Sequence, residues 1–289
     1  MDAEVAAQIL VEEYSRMAKP YEARVVPQNR TLVRRLLELA RLRRGEQLLD
    51  LGCGPGNLAI EAVRAIGGTG HVEGIDLAEG MVKVASARAA REGLQNVSFR
   101  VMDCRQLSYQ SGTFDVVASC LGIPSIGHLR CLDEACRVLR PGGRFVFCVG
   151  TGGGTGAEVG KAFREILEAV RPSTPSAAVR RLLDARTAVN ATGEPAAIRN
   201  ADVTARALRG AGFAEAESVA ETHPVVFPNV EGYVRYQLAW GDNDREWQAT
   251  NAVSRDAFLR DLGSRVARLV QADGFVYTRE ILFYAAVKP

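Results

Sequence analysis

The 289-residue chain lacks charge imbalance, disulfide-type cysteine spacing and long apolar runs, and each absence removes a class of function. Its 36 Lys and Arg stand against 34 Asp and Glu, a formal net charge of +2 that gives no strong pull toward nucleic acid or an anionic membrane. No apolar stretch approaches the roughly 18 residues of a spanning helix. Met1-Asp2-Ala3-Glu4 has neither a basic n-region nor an apolar h-region, so a cytoplasmic enzyme is expected. Six cysteines, at 53, 104, 120, 131, 136 and 148, form no Cys-x-x-Cys pair and sit mostly inside apolar patterns. Buried, reduced thiols are the simplest reading. Cys53, Cys104 and Cys120 follow the carboxyl ends of expected strands, which leaves a thiol site for a soft metalloid as an alternative. Asp242-Asn243-Asp244 reads as a helix-ending polar turn, and no metal is expected.

What the chain does have is concentrated between Gln47 and Asn57: an apolar strand pattern runs into three alternating glycines, Gly52, Gly54 and Gly56, with Asp50 just upstream. Glycines at a strand-to-helix turn let backbone approach a ligand, and the helix expected over Leu58 to Ile66 points free N–H groups at it. A dinucleotide fingerprint needs its third glycine at position 57, which is Asn57. A pyrophosphate would also sit poorly beside Asp50, whereas a ligand carrying an ammonium and a sulfonium would be attracted to it. Spacing and charge favour S-adenosylmethionine over NAD.

Asp-x-Gly-x-Gly-x-Gly after a strand resembles the first motif of class I S-adenosylmethionine-dependent methyltransferases, and further motifs follow in order. Val72 to Asp76 resembles the second strand, and Asp76 lies about 20 residues beyond Gly56, as a βαβ unit requires. Val97 to Val101, Phe114 to Ser119 and Phe145 to Val149 resemble the next three strands. The resemblance implies a Rossmann-like, seven-stranded mixed α/β sheet, its last strand antiparallel beside the fifth. It also implies a cofactor site of Tyr21, Asp50, Gly52, Gly54, Asn57, Asp76, Leu77, Met81, Asp103, Cys104, Ser119 and Leu121. In that site Asp76 would bind the ribose hydroxyls and Asp103 would lie near the adenine amino group.

Four sections are expected: a helical cap over 1–45, a cofactor-binding core over 46–150, a helical lid insertion over 151–200, and completion of the sheet with substrate-pocket helices over 201–289. The N-terminal helices should cover the cofactor end of the sheet. Tyr14 to Glu22 resembles the aromatic lead-in segment of the quinone-biosynthesis-like branch of the family, which implies that Tyr21 touches the methionine part of the ligand; a tyrosine pinning the N-terminal arm is the competing reading. Gly150 to Ala162 imitates a phosphate-binding loop, but Thr155 and Ala162 stand where a Walker loop needs Gly and Ser or Thr. The helix expected from Glu158 to Val170 should break at Pro172 and Pro175, with another over Ala177 to Ala188. Tyr233, Tyr236 and Trp240 fall on one helical face, either as core or as a pocket wall.

In-line methyl transfer draws much of its catalysis from positioning and desolvation. Of three histidines, His128 follows the fourth strand and is the candidate general base, with Tyr21 a second catalytic candidate. Relatives often carry a His where Pro124 stands, a departure that loosens any carried-over role. Ser119-Cys-Leu-Gly-Ile replaces the Asn/Asp-Pro-Pro-Tyr pattern of nucleic-acid amino-methyltransferases, which points to a small-molecule acceptor, aromatic or a secondary-metabolite intermediate. A homodimer is compatible with this reading. The alternatives are a cofactor-binding member of the fold with a non-methylating or regulatory role, and, more remotely, a nicotinamide oxidoreductase.

Overall fold

A computed structural model describes residues 1–171 and 174–289; Pro172, expected to break a helix, lies outside them. Helix α1 (Ala3–Arg24) is capped by Asp2, whose side chain accepts from the Glu4 and Val5 N–H groups. A 3-10 turn over Val26–Asn29 leads into α2 (Arg30–Ala40), where Leu32, Val33, Leu36 and Ala40 recur at helical spacing and are buried. Each of those leucines contributes about 1.5–3 kcal/mol by leaving water. Strands and helices then alternate: β1 (Gln47–Leu51), α3 (Asn57–Ile66), β2 (His71–Asp76), α4 (Glu79–Arg91), β3 (Val97–Val101), β4 (Phe114–Cys120), α5 (His128–Val138) and β5 (Leu139–Gly150). The remainder comprises α6 (Thr155–Val170), α7 (Ala177–Ala191), α8 (Glu194–Ala197), α9 (Ala201–Gly210), β6 (Glu215–Phe227), α10 (Val230–Gln237), α11 (Gly241–Ala249), α12 (Ala252–Arg265), a two-residue β7 (Val270–Gln271) and β8 (Gly274–Val287).

Seven strands run in the order β3-β2-β1-β4-β5-β8-β6, with β7 paired to β8 off the main path. The first five are parallel, and β8 lies antiparallel between β5 and β6, the placement expected for the last strand. The order of winding reverses between β1 and β4. That reversal opens a crevice at the carboxyl edge, where ligands of such sheets bind.

Side-chain alternation along β1 builds a core on each face. Leu49 and Leu51 pack with Val117, Leu132, Phe147 and Leu208, whereas Leu48 packs with Leu36, Leu58, Val116 and Val146. Asp50 shares the face of Leu48 and therefore points toward α3. Strands β6 and β8 continue as a two-stranded arm beyond the end of β5, and Val225, Phe227, Phe275 and Tyr277 on it form a third core with α6, α10 and α12.

Three expectations need correction. Helix α2 packs on a sheet face rather than over the cofactor end, because its apolar stripe matches the β1, β4 and β5 side chains; α1 alone of the two reaches the edge. The expected lid divides, since α6 is buried in the arm's core while α7 packs on α1 through Ile9, Leu182, Ala185 and Val189. Asp242 and Asp244 begin α11 instead of ending a helix, where acids complement the free N–H groups of its first turn.

Candidate functional site

The β1 carboxyl end turns through Gly52, Gly54 and Gly56, all with positive φ (62°, 52° and 80°), before α3 begins. A Cβ on Gly52 would stand 2.4 Å from the Gly122 carbonyl oxygen, and one on Gly122 would stand 2.5 Å from the Gly52 oxygen. The loops after β1 and β4 thus pack backbone to backbone at the topological switch. Leu121 between them is left-handed at φ 60°, a strained conformation held in place by its N–H bond to the Cys148 carbonyl. By contrast, a Cβ on Gly54 would meet nothing within 4 Å. Its missing side chain leaves open space.

That space belongs to a cavity of about 360 Å³. Asp50, buried, accepts the Ala59 N–H through Oδ2 at 3.0 Å and so satisfies one free donor at the start of α3. Its Oδ1 is buried without a partner. Burial, reinforced by the nearby Asp76 charge and opposed by the Ala59 bond, pushes the Asp50 carboxyl up to about 8. Asp76, at the end of β2, accepts from the Gly54 N–H at 2.8 Å and from the Ala78 N–H at 2.8 Å, and burial raises its pKa as well. An orphaned buried carboxylate oxygen beside a glycine turn is a receptor for a cationic donor, so these residues fit the ammonium and ribose of S-adenosylmethionine.

The opposite wall is apolar and aromatic. Ala7, Leu10, Val11, Tyr14 and Tyr21 of α1 face Ile123 and Ile126 of the β4–α5 loop, with Val189 of α7 nearby. Trp240 sits among three tyrosines at edge-to-face angles: Tyr21 at 5.5 Å, Tyr14 at 6.3 Å and Tyr236 at 6.4 Å between ring centroids. The aromatic stripe is therefore split, since Tyr233 is core while Tyr236 and Trp240 line the cavity. Burial lifts the Tyr21 phenol well above its usual range, so the hydroxyl remains a donor at neutral pH.

Ten of the twelve expected cofactor residues line this cavity: Tyr21, Asp50, Gly52, Gly54, Asn57, Asp76, Leu77, Met81, Cys104 and Leu121. Asp103 does not, because its carboxylate is gripped by Arg105, whose other side holds Glu4. Ser119 does not, because its hydroxyl donates to the Leu51 carbonyl at 2.7 Å and ties β4 to β1. His128 does not line it either. It is buried at the start of α5, with Nδ1 3.2 Å from the Glu194 carboxylate, and burial lowers its pKa. We predict that His128→Ala keeps turnover within about threefold while costing about 1–3 kcal/mol in a denaturant titration.

The sequence motifs did not mark Arg105, which directly follows Cys104, or Asn29 and Arg279, which reach the cavity from distant segments. Cys53, Cys104 and Cys120 do converge on it, but each stands at a different strand end. The Cys120 thiol is pushed up by its hydrogen bond to Cys148 and by burial, and burial pushes up Cys53. Among the described residues no group of three or more His, Cys, Asp or Glu could hold a metal ion, and no helix is long and apolar enough to cross a membrane.

Comparison with known proteins agrees with this geometry. A family described as "Methyltransferase domain" matches residues 48–143. Nocamycin O-methyltransferase of Saccharothrix syringae is 32% identical over 88% of this chain and 91% of its own length. A demethylmenaquinone methyltransferase of Halalkalibacterium halodurans is 36% identical over 36% of this chain and 43% of its own. Among solved structures, Haemonchus contortus phosphoethanolamine N-methyltransferase 2 in complex with S-adenosyl-L-methionine is similar in fold, with a TM-score of 0.53 at 19% identity over 90% of this chain and 52% of that one.

Proposed function

The chain belongs to the S-adenosylmethionine-dependent methyltransferases, and from that premise we propose that it methylates an oxygen of a small molecule enclosed beside the cofactor. The observation that carries this reading is the continuity of one cavity: its polar half holds Asp50, Gly54 and Asp76, and its apolar half holds Ile123, Ile126, Tyr14, Tyr236 and Trp240. Its volume falls in the roughly 300–1,000 Å³ of small-molecule sites. An acceptor with an aromatic or otherwise apolar skeleton suits the second half, as a secondary-metabolite intermediate would. The name of the Saccharothrix relative, which the chain matches over most of its length, supports oxygen as the accepting atom.

When bound, S-adenosylmethionine supplies an electrophilic methyl group on a sulfonium. Asp50 would hold its ammonium through the orphaned Oδ1, and Asp76 would exchange backbone donors for ribose hydroxyls. Tyr21 would donate its hydroxyl toward the methionine part. Helices α1 and α7 pack on each other beside the cavity and would act as its roof, where excluding water would strengthen each of these contacts. In this proposal α1 within residues 1–45 acts as cap, 46–150 as cofactor core, α7 within 151–200 as lid, and 201–289 as sheet completion with acceptor wall.

Tyr21→Phe is expected to weaken cofactor binding by up to about tenfold, the loss of one hydrogen bond. Unchanged affinity and turnover would leave Tyr21 only the role of bracing Trp240. The proposal itself is tested by incubating the enzyme with labelled S-adenosylmethionine and a panel of phenols, enols and carboxylic acids. Label in an organic-soluble product bearing one added methyl supports it. Label found only in nucleic acid or protein substrates offered in parallel would overturn it.

A further inference from the structure

Arg279 is a cation that the cofactor half of the cavity does not use. It lies within β8, opposite His223 of β6 and just before the part paired to β5, and lines the cavity. Its guanidinium donates to the Asn29 Oδ1 at 3.0 Å and the Gln28 carbonyl at 2.8 Å, both neutral, and its Nε is buried without a partner. Among the described residues it forms no ion pair with a carboxylate, whereas the other cavity arginine, Arg105, is paired with both Asp103 and Glu4. Arg279 is half-buried, and a positive charge held only by neutral oxygens favours an anionic guest.

Position separates this guest from the cofactor. Asp50 stands on β1 and Asp76 on β2, while the Arg279 backbone stands on β8, three strands from β1 and about 14 Å along the sheet edge at normal strand spacing, with its guanidinium turned back onto the 3-10 turn at Gln28 and Asn29. The carboxylate and ammonium of the cofactor's methionine share one carbon atom. A cofactor with its ammonium on Asp50 presents its carboxylate near β1, so a cation rooted on β8 is better placed for the acceptor, and a loss of cofactor affinity on its removal would show the reverse.

The cavity also offers no free base. Among the described residues its lining contains no histidine, and its only carboxylates are Asp50 and Asp76. Resting on the methyltransferase reading above, we propose that Arg279 recognises the acceptor and that the acceptor arrives with an anionic oxygen, as a carboxylate or as an ionised enol or phenol. The transfer then balances without a proton. The acceptor oxygen uses a lone pair to form the new C–O bond as the methyl C–S bond breaks; the sulfur retains that bonding pair and becomes a neutral thioether. The acceptor's negative charge is discharged in the product, so its hold on Arg279 is released.

The test uses matched ring probes, 2-naphthoate and neutral 2-naphthamide, titrated calorimetrically into the full-length protein saturated with S-adenosylhomocysteine. Wild type should bind the carboxylate at least tenfold more tightly than the amide. Arg279→Gln should abolish the preference and leave S-adenosylhomocysteine affinity unchanged, and Arg279→Lys, which keeps the charge, should restore part of it. Equal binding of the two probes, no binding of the carboxylate at millimolar concentration, or a preference that survives in Arg279→Gln would overturn the assignment. So would a parallel loss of S-adenosylhomocysteine affinity in a folded Arg279→Gln protein, which would give Arg279 to the cofactor carboxylate. Failure of wild type to bind S-adenosylhomocysteine would instead count against the methyltransferase reading.

Discussion

Asp50→Asn should lower affinity for S-adenosylmethionine by two orders of magnitude or more, about 3 kcal/mol, without lowering the thermal midpoint. The affinity loss follows from replacing a buried carboxylate with an amide where a cation must bind. The intact fold follows because the amide oxygen can still accept the Ala59 N–H that Asp50 now holds. The pH dependence has a definite sign. A carboxyl raised to about 8 keeps its proton in the folded protein over a range, about pH 4 to 8, where the unfolded chain has released it. Folded-state stability contributed by this group therefore declines as pH rises through that window, by up to about 1.4 kcal/mol per unit. A cationic ligand draws the proton out, so cofactor affinity should climb by up to about tenfold per unit as pH rises toward 8 and level above it. Both slopes should vanish in Asp50→Asn. Calorimetry across pH, repeated in buffers of different ionisation enthalpy, reads the released proton directly; a flat profile in wild type would count against Asp50 as the ammonium receptor.

A second large effect separates two glycines. Gly54→Ala places a methyl in open cavity, so its damage should fall on the ligand: cofactor affinity drops at least about tenfold, while the left-handed φ of 52° costs the fold only about 1–2 kcal/mol. Gly122→Ala drives a methyl to 2.5 Å from the Gly52 oxygen and 2.6 Å from the Leu51 oxygen, two backbone groups that cannot swing aside. It should destabilise the protein by about 1–3 kcal/mol or more and lose cofactor binding together with it. Thermal melts with and without S-adenosylhomocysteine distinguish the cases. A Gly54→Ala protein that melts much earlier yet binds normally would contradict this account of the turn.

The parts of the site that could be read from the sequence are those encoded by short, continuous patterns. Asp50 and the glycine turn sit on one strand-to-helix junction, and Asp76, Leu77 and Met81 follow one βαβ repeat later, so their placement depends on local geometry alone. Asp103 lies in the loop after β3 and Ser119 near the end of β4, but their polar groups are taken elsewhere, one by Arg105 and the other by the Leu51 carbonyl. A motif records position along the chain, while direction is decided by which partner takes the polar group. His128 illustrates the same limit: one residue past the left-handed Gly127, it enters α5 on the side facing Glu194. Tyr236 and Trp240 were legible as a possible pocket wall, but Asn29 and Arg279 come from segments far apart in the chain, and only tertiary packing brings them to one edge. The sheet order was legible through the family resemblance. The division of the expected lid was not, because an apolar face on α6 or α7 does not say which core receives it.

A co-crystal with S-adenosylhomocysteine tests the central claim most directly. In that crystal the amino group should lie on Asp50 Oδ1, the ribose hydroxyls on Asp76, and the sulfur should face the apolar chamber bounded by Tyr14, Tyr236, Trp240 and Arg279. A ligand lying elsewhere, or a sulfur turned toward a closed wall with no room for an acceptor, would contradict it.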